Sequence, residues 1–235
     1  MTEDSGRTSA AHSERELAPR RVRDWRILIF QIYRFAALAL FSVLAVMARG
    51  AAYFPIDLAV TQALQSPNLP WLDLLMRLVS WPGYGPQVLA VVAALSGLLW
   101  AWGLAREGAV CALSGLAALA TNHLLKLAVE RPRPSPDLVD VFKELADFSF
   151  PSGHVMFYTA FFGFLFFLSY TLLQQSRKRL LLLLLFGGLV VLVGPSRIYL
   201  GNHWVSDVLG AYLLGSLILA GAIVVYQRWS AMHEG

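Results

Sequence analysis

The sequence predicts an all-α membrane protein: a six-transmembrane-helix bundle with a short interfacial helix between the first two spans. Three observations support this fold class. The chain of 235 residues is 57% hydrophobic and only 14% charged, whereas soluble domains carry charge on about a quarter of their residues. Its mean hydropathy is +0.58. Its apolar residues are also gathered in runs that approach the roughly 20 residues a helix needs to cross a bilayer.

Six apolar runs are the candidate spans. The first is too long for a cleavable signal peptide and lacks a small-residue exit site. The spans are predicted at residues 27–47, 86–102, 109–129, 155–173, 180–193 and 205–226. The domain organisation that follows is a disordered basic tail at 1–26, a membrane domain at 27–228 and a second tail at 229–235, both tails cytoplasmic.

The segment 66–81 predicts the interfacial helix. Its apolar side chains share one helical face, and Trp71 and Trp81 are placed to anchor it at headgroup level. An ordinary loop helix packed on the bundle fits the same pattern. The shared face consists of Leu72, Leu75, Met76 and Val79.

Composition excludes two other classes of protein. The net charge is +4, but the basic residues flank apolar spans and form no basic face on a polar domain, so no nucleic-acid partner is expected. The single cysteine, Cys111, excludes an internal disulfide framework and a cysteine-rich metal site.

The first motif spans Lys126 to Pro134. Lys126 and Arg133 are seven positions apart, about two helical turns, but Pro132 and Pro134 make an unbroken helix unfavourable. We therefore expect Lys126 on the last turn of the third span and Arg133 in the following loop, both facing an anion. A lysine that only reaches the membrane interface is the alternative. Arg131 is expected to be a loop or headgroup contact.

The second motif is Pro151-Ser152-Gly153-His154, directly before an apolar run. Ser152 can cap a helix, and Gly153 lets backbone N–H groups approach an anion closely. The positive end of the helix would then face a phosphate, with His154 as a general acid. The alternative is a helix cap with an incidental histidine.

The third motif runs from Ser196 to Asp207. His203 and Asp207 are four residues apart, so on a helix they share a face. The carboxylate can fix the imidazole tautomer and leave the other nitrogen as a nucleophile, which histidine uses to carry a phosphoryl group. Arg197 offers a bidentate fork to phosphate. An ordinary surface hydrogen bond is the alternative for His203 and Asp207.

The connections predict which side of the membrane each motif faces. With both termini inside, most basic loop residues fall on the cytoplasmic side, as membrane proteins prefer. All three motifs then lie on the outer face. The acidic residues of the loop before the second motif are expected to form a solvated face, with repulsion or orientation of anionic substrates as the alternative: Asp137, Asp140, Glu144 and Asp147.

Together the three motifs resemble the signature of the type 2 phosphatidic acid phosphatase superfamily, K-x6-R-P, P-S-G-H and S-R-x5-H-x3-D. Every signature position is filled. The resemblance implies His203 as nucleophile, Asp207 as its orienting group and His154 as the acid. It also implies a metal-independent reaction without a cofactor. The phosphate-binding residues that it implies are Lys126, Arg133, Ser152, Gly153 and Arg197.

The function predicted is hydrolysis of a lipid phosphate or pyrophosphate at the outer face of a bacterial inner membrane, through a phosphohistidine intermediate. A membrane lipid is the expected partner, and the sequence leaves the oligomeric state open. Undecaprenyl pyrophosphate is favoured by a small margin over phosphatidylglycerol phosphate and phosphatidic acid. The alternatives are a lipid phosphotransferase and a non-catalytic lipid-binding or transport protein.

Overall fold

The computed structural model describes residues 4–67 and 69–232, with side chains from Asp24 onward except that of Arg26. Within these ranges the chain is helical, with eight α-helices, a short 3-10 turn at Trp81–Gly83 and no strand. The helices are α1 Asp4–Gly50, α2 Pro55–Gln65, α3 Pro70–Ser80, α4 Gly85–Ala101, α5 Ala105–Val129, α6 Gly153–Leu172, α7 Arg177–Tyr199 and α8 Val205–Ala231. The all-α prediction is confirmed.

The chain divides into two units after residue 39. The first contains most of α1, and the second contains the other helices together with every predicted site residue. Most side chains of the tail predicted at residues 1–26 lie outside the described part of the chain. Residues 233–235 of the second tail also lie outside it. Both tails therefore stay predictions.

Five of the described helices are long and apolar enough to cross a membrane: the part of α1 from Ile27, and α5 to α8. The remaining predicted span corresponds to α4, which has only 17 residues. Taken together, the segment Pro70–Gly83 and α4 are also long and apolar enough to cross a membrane, but they are bent by 68° relative to each other. A multi-pass membrane protein is thus confirmed, while the count of six spans stays a prediction.

Helix α3 lies within the segment 66–81 where one interfacial helix was predicted, and a second helix, α2, precedes it. In α3, Met76 and Val79 are buried while Trp71 is exposed, as expected for an amphipathic segment. Helix α2 is absent from the prediction. Its buried residues are the polar Asp57 and Thr61, so hydrophobic periodicity, which marks most helices, does not reveal it.

Helix α6 is the centre of the bundle. It packs against α5, α7 and α8, and two-thirds of its apolar stretch is buried, 67%. Phe157 and Phe161 stack with ring centroids 5.1 Å apart, and such contacts contribute most of the packing in helical interiors. His154, in the first turn of α6, is therefore held by the most enclosed helix of the protein.

The chain runs up and down through α5, α6, α7 and α8. Consequently the C-terminal ends of α5 and α7 meet the N-terminal ends of α6 and α8. A backbone hydrogen bond of 3.3 Å from Ser152 N–H to the Asp207 carbonyl joins two of these ends. The three motifs converge at one end of the bundle, as the sequence predicted.

Candidate active site

His203 lies in the short connection between α7 and α8. A tight turn at Gly201, with a φ of 63°, brings it there, and an added Cβ at Gly201 would come within 2.0 Å of the Asp140 carbonyl oxygen. The imidazole is 1% exposed. Its Nε2 lies 3.0 Å from Arg133 Nη1, and its Nδ1 lies 3.6 Å from Asp207 Oδ2. The predicted proximity of His203 and Asp207 is present, and Nδ1 also lies 3.5 Å from the hydroxyl of Ser149.

These neighbours determine the tautomer of His203. A guanidinium can only donate hydrogen bonds, so Nε2, which faces Arg133, is the accepting nitrogen. Nδ1 then carries the proton and faces the Asp207 carboxylate. Burial, followed by the charges of Arg133, Lys126 and Arg197, lowers the pKa of His203 well below its usual value. The imidazole is therefore neutral at pH 7, the form in which Nε2 can act as a nucleophile.

Asp207, in the first turn of α8, is fully buried. Its Oδ2 accepts a 2.8 Å hydrogen bond from the Trp204 N–H and a close one from the Ser149 hydroxyl. Its Oδ1 accepts a 2.6 Å hydrogen bond from Arg131 Nη1. With both oxygens held, the carboxylate cannot rotate away from His203.

Lys126 and Arg133 lie where the sequence places them, one in the last turn of α5 and the other in the loop beyond it. Lys126 is buried. Arg133 Nη1 donates to the Asn202 carbonyl at 2.6 Å, next to His203. Arg133 therefore lies beside His203, and the charge of Lys126 also acts on the imidazole, an arrangement that suits an anion site.

Asp147 departs from the prediction of a solvated acidic face. Its carboxylate forms a close ion pair with Lys126 and a second one of 2.7 Å with Arg133, although the side chain is 57% exposed. Partial burial acts to raise the pKa of Asp147, but the Lys126 ammonium and the Arg133 guanidinium outweigh it and hold that pKa below its usual value. An anionic side chain thus bridges the two predicted phosphate-binding cations.

Helix α6 begins at Gly153, with Ser152 as the residue before it. A Cβ at Gly153 would lie 2.8 Å from Asn122 Oδ1, and Asn122 Nδ2 donates to the Pro151 carbonyl at 2.8 Å. Ser152 occupies the predicted N-cap position, but its side chain makes no capping hydrogen bond. Gly153 is required for close packing at this helix start.

The His154 ring packs between a tyrosine and a glycine. It meets Tyr84 edge-on, with ring centroids 4.8 Å apart, and its Cδ2 would lie 2.4 Å from a Cβ at Gly83. Neither neighbour belongs to the three motifs. Only a residue without a side chain at position 83 leaves room for the ring.

Arg197, in the last turn of α7, is fully buried. Its Nη1 donates to Ser80 Oγ at 3.1 Å and to the Tyr84 hydroxyl at 2.8 Å. The guanidinium carbon lies 5.0 Å from the centre of the Tyr84 ring, a favourable cation–π contact. Tyr84 therefore touches both Arg197 and His154.

Three of the predicted site residues have buried polar atoms without a hydrogen-bond partner in the described part of the chain. They are Ser152 Oγ, His154 Nε2, and Nε and Nη2 of Arg197. Each unsatisfied buried group costs about 1–3 kcal/mol, and a cluster of unpaired donors is a sign of a functional role. The Arg197 nitrogens and the Ser152 hydroxyl can donate, and His154 Nε2 donates when the ring is protonated, so the complementary ligand is an anion rich in acceptor oxygens.

Arg131 is the largest correction to the predicted site. The sequence suggests a loop or headgroup contact, but the side chain is fully buried and pairs with both Asp57 and Asp207. Ser149, another contact of Asp207, was not predicted from the sequence either. These partners come from segments without a recognisable motif.

These features belong to one class of protein, the all-helical, multi-pass membrane proteins that hold a buried histidine and aspartate among cationic side chains. A family model described as the PAP2 superfamily matches residues 108–231, which is more than half of the chain. The chain belongs to the PAP2 superfamily. The resemblance found in the motifs is confirmed.

Individual relatives agree with this family. Phosphatidylglycerophosphatase B of Bacillus subtilis is 31% identical over 76% of this chain and 87% of its own length. Undecaprenyl-diphosphatase BcrC of the same organism is 33% identical over 45% of this chain and 51% of its own. The crystal structure of a transmembrane PAP2-type phosphatidylglycerolphosphate phosphatase from Bacillus subtilis superposes with a TM-score of 0.70 at 27% identity, covering 83% of this chain and 96% of that one.

The contact between Gly83 and His154 leads to a first prediction. Gly83→Ala should displace the His154 ring and lower kcat for phosphate release from a lipid phosphate by about tenfold or more, because small displacements of a reacting group are costly. The matched control is Gly97→Ala in α4, where an added Cβ meets nothing within 4 Å, and its kcat should be unchanged. A wild-type rate for Gly83→Ala would show that the ring need not stay where it lies.

The bridge formed by Asp147 leads to a second prediction. Asp147→Asn should tighten vanadate binding about fivefold, since a partly exposed ion pair that competes for the cations is worth roughly 1 kcal/mol. Isothermal titration of vanadate into the purified protein in detergent measures this. Glu144→Gln removes the same charge from the same loop and should leave the affinity unchanged. Weaker binding by Asp147→Asn would mean that the carboxylate orients the cations and does not compete for them.

Proposed function

We propose that this chain is a membrane phosphatase that removes phosphate from a lipid phosphate or pyrophosphate through a phosphohistidine intermediate. The observation that carries the proposal is the set of buried, unpartnered donors on His154, Arg197 and Ser152, next to a neutral His203. Phosphoryl transfer needs little more from a protein than this positioning of a nucleophile and of positive charge. The lipid substrate class comes from the family and from the spans that surround the site.

In the first step, His203 Nε2 attacks phosphorus and the bond to the leaving oxygen breaks. His154 donates a proton to that oxygen, so the lipid leaves as an alcohol, or as a phosphate if the substrate is a pyrophosphate. Asp207 stabilises the positive charge that develops on the imidazole. Lys126, Arg133 and Arg197 balance the charge on the equatorial oxygens. Arg133 must give up its contact with Nε2 as the new bond forms.

In the second step, water attacks the phosphohistidine. His154, now neutral, takes a proton from the water, and the bond between phosphorus and Nε2 breaks. Inorganic phosphate leaves and both histidines return to their starting states. This sequence uses only side chains of the chain itself, and Ser152 and the Gly153 turn support the phosphate throughout.

Phosphatidylglycerol phosphate is the first candidate substrate. The match to phosphatidylglycerophosphatase B covers 87% of the length of that relative, whereas the match to the undecaprenyl-diphosphatase covers 51% of the length of that one. Undecaprenyl pyrophosphate, favoured by a small margin from the sequence, is the second candidate. For both lipids we propose a site on the outer face of a bacterial inner membrane, which the distribution of basic loop residues supports.

A substrate panel in detergent provides the third prediction. Phosphate release should show the highest kcat/KM with phosphatidylglycerol phosphate, a lower value with undecaprenyl pyrophosphate and the lowest with phosphatidic acid. Release should persist in EDTA and be blocked by vanadate. Transfer of label to a lipid alcohol without free phosphate would instead identify a phosphotransferase, and an absence of turnover on every lipid would refute the proposed activity.

The nucleophile provides the fourth prediction. Wild-type protein mixed with substrate labelled at the transferred phosphate and quenched in alkali should retain a label that acid removes, as expected of a phosphohistidine. His203→Ala should lose both the label and at least about a thousandfold in kcat, the scale typical of a removed nucleophile. His123→Ala, which alters an exposed histidine of α5, is the control. Retained label in His203→Ala would place the covalent bond elsewhere.

A further inference from the structure

We propose that Asp57 and Arg131 are positioning residues for the reaction, acting through Asp207 on His203. Asp57 lies outside the three motifs, and Arg131 fills a position of the first motif that the signature leaves unspecified. Neither contacts Lys126 or Arg133 among the described side-chain contacts. The inference rests on the proposed function, because it takes His203 to be the nucleophile. It adds helix α2, which lies outside all the motifs, to the machinery that supports the reaction.

Arg131 joins two segments that are far apart in the chain. Its Nη1 donates to Asp207 Oδ1 at 2.6 Å and to Ser206 Oγ at 2.7 Å. Its Nη2 donates to Asp57 Oδ2 at 2.9 Å, and its Nε donates to the Ala51 carbonyl at 3.2 Å. All three guanidinium nitrogens are therefore engaged. Such a fork fixes the direction from which Asp207 is held.

Asp57 is equally well held. Its Oδ2 accepts hydrogen bonds from the Phe54 N–H at 2.9 Å and from Ser206 Oγ at 2.8 Å, in addition to Arg131. Its Oδ1 accepts a 2.9 Å hydrogen bond from the Ser206 N–H. Asp57 therefore caps the N-terminus of its own helix, α2, and also that of α8, which carries Asp207 in its first turn.

The two oxygens of Asp207 have separate tasks. Oδ1 is held by Arg131, whereas Oδ2 faces His203 and accepts from Ser149 and Trp204. Because a carboxylate is planar, holding Oδ1 sets the position of Oδ2 relative to the imidazole Nδ1. Arg131 thus fixes the carboxylate oxygen that faces the protonated Nδ1 of His203.

Charge balance gives Asp57 a role beyond support. Asp57, Asp207 and Arg131 together carry one net negative charge, and all three side chains are fully buried. This charge lies next to the imidazole that becomes positive during attack on phosphorus. Without Asp57, the guanidinium would pair with Asp207 alone and cancel its charge. Asp57 therefore leaves Asp207 with a negative charge that can act on His203.

The kinetic consequence is a change in kcat with little change in KM. Asp57→Asn preserves size and some hydrogen bonds but removes the charge, so phosphorylation of His203 should slow by roughly tenfold, the scale of one hydrogen bond to a charged group. KM should stay within about twofold, because the phosphate-binding cations are untouched. Arg131→Lys keeps the charge without the fork and should show the same pattern.

The test compares single and double variants of the full-length protein in detergent, with phosphatidylglycerol phosphate as substrate. If Asp57 acts through Asp207, Asp57→Asn should lower kcat in the wild type but not further in Asp207→Asn. Glu107→Gln is the matched control: Glu107 is also a buried carboxylate, in the first turn of α5, and accepts a 3.0 Å hydrogen bond from Tyr226. Its kcat should match the wild type. Equal losses of kcat from Asp57→Asn in both backgrounds would reduce Asp57 to a purely structural residue and overturn the inference.

A second measurement needs no substrate. In protein labelled with 15N-histidine, the His203 resonances are identified by their loss in His203→Gln. Because Arg133 still donates to Nε2, the proton should stay on Nδ1, and Asp57→Asn and Arg131→Lys should each shift the Nδ1 resonance toward that of a more weakly held Nδ1–H, while Glu107→Gln leaves it unchanged. Unchanged resonances in both variants would refute the inference; if one variant does not fold, the other decides. Because the spectra are independent of turnover, they decide even if the substrate panel disproves the proposed function.

Discussion

Buried charges at one end of the helix bundle are paired with one another, and this pairing holds segments from across the chain together. Charged side chains are costly in a membrane protein unless they find partners, and here they do so over long distances in sequence. Arg131 holds Asp57 and Asp207, while Asp147 holds Lys126 and Arg133. One network is enclosed and fixes the His203 neighbourhood, whereas the other is open to solvent and available to an incoming anion.

The long helices could be predicted because their signal is local. A span is a run of apolar residues, and α5 to α8 each contain one. Helix α2 could not be predicted in this way, because it is short and directs Asp57 and Thr61 to the interior. The bend between α3 and α4 was likewise hidden, since the Pro- and Gly-rich turn marks a break but not its angle.

The motif residues could be predicted because fixed spacing and residue type indicate their chemistry. Their supporting partners could not be predicted, because those contacts join distant parts of the chain. Arg131 and Asp57 are 74 positions apart, and Arg197 and Tyr84 are 113 positions apart. One signal was available. In a chain with only 14% charged residues, an aspartate close to a membrane span is expected to pair with a cation. This expectation applies to Asp57, which follows the first span.

The double cap made by Asp57 has a consequence for how the protein is assembled in the membrane. Ser206, which supplies two of its hydrogen bonds, follows 149 residues later in the chain. Until α8 has been synthesised and inserted, Asp57 and Arg131 have each other and backbone groups of the neighbouring segment, but lack Ser206 and Asp207. An incompletely paired buried ion is strongly unfavourable, so α2 can settle in its final place only after the last helix arrives. The active end of the molecule is therefore completed last.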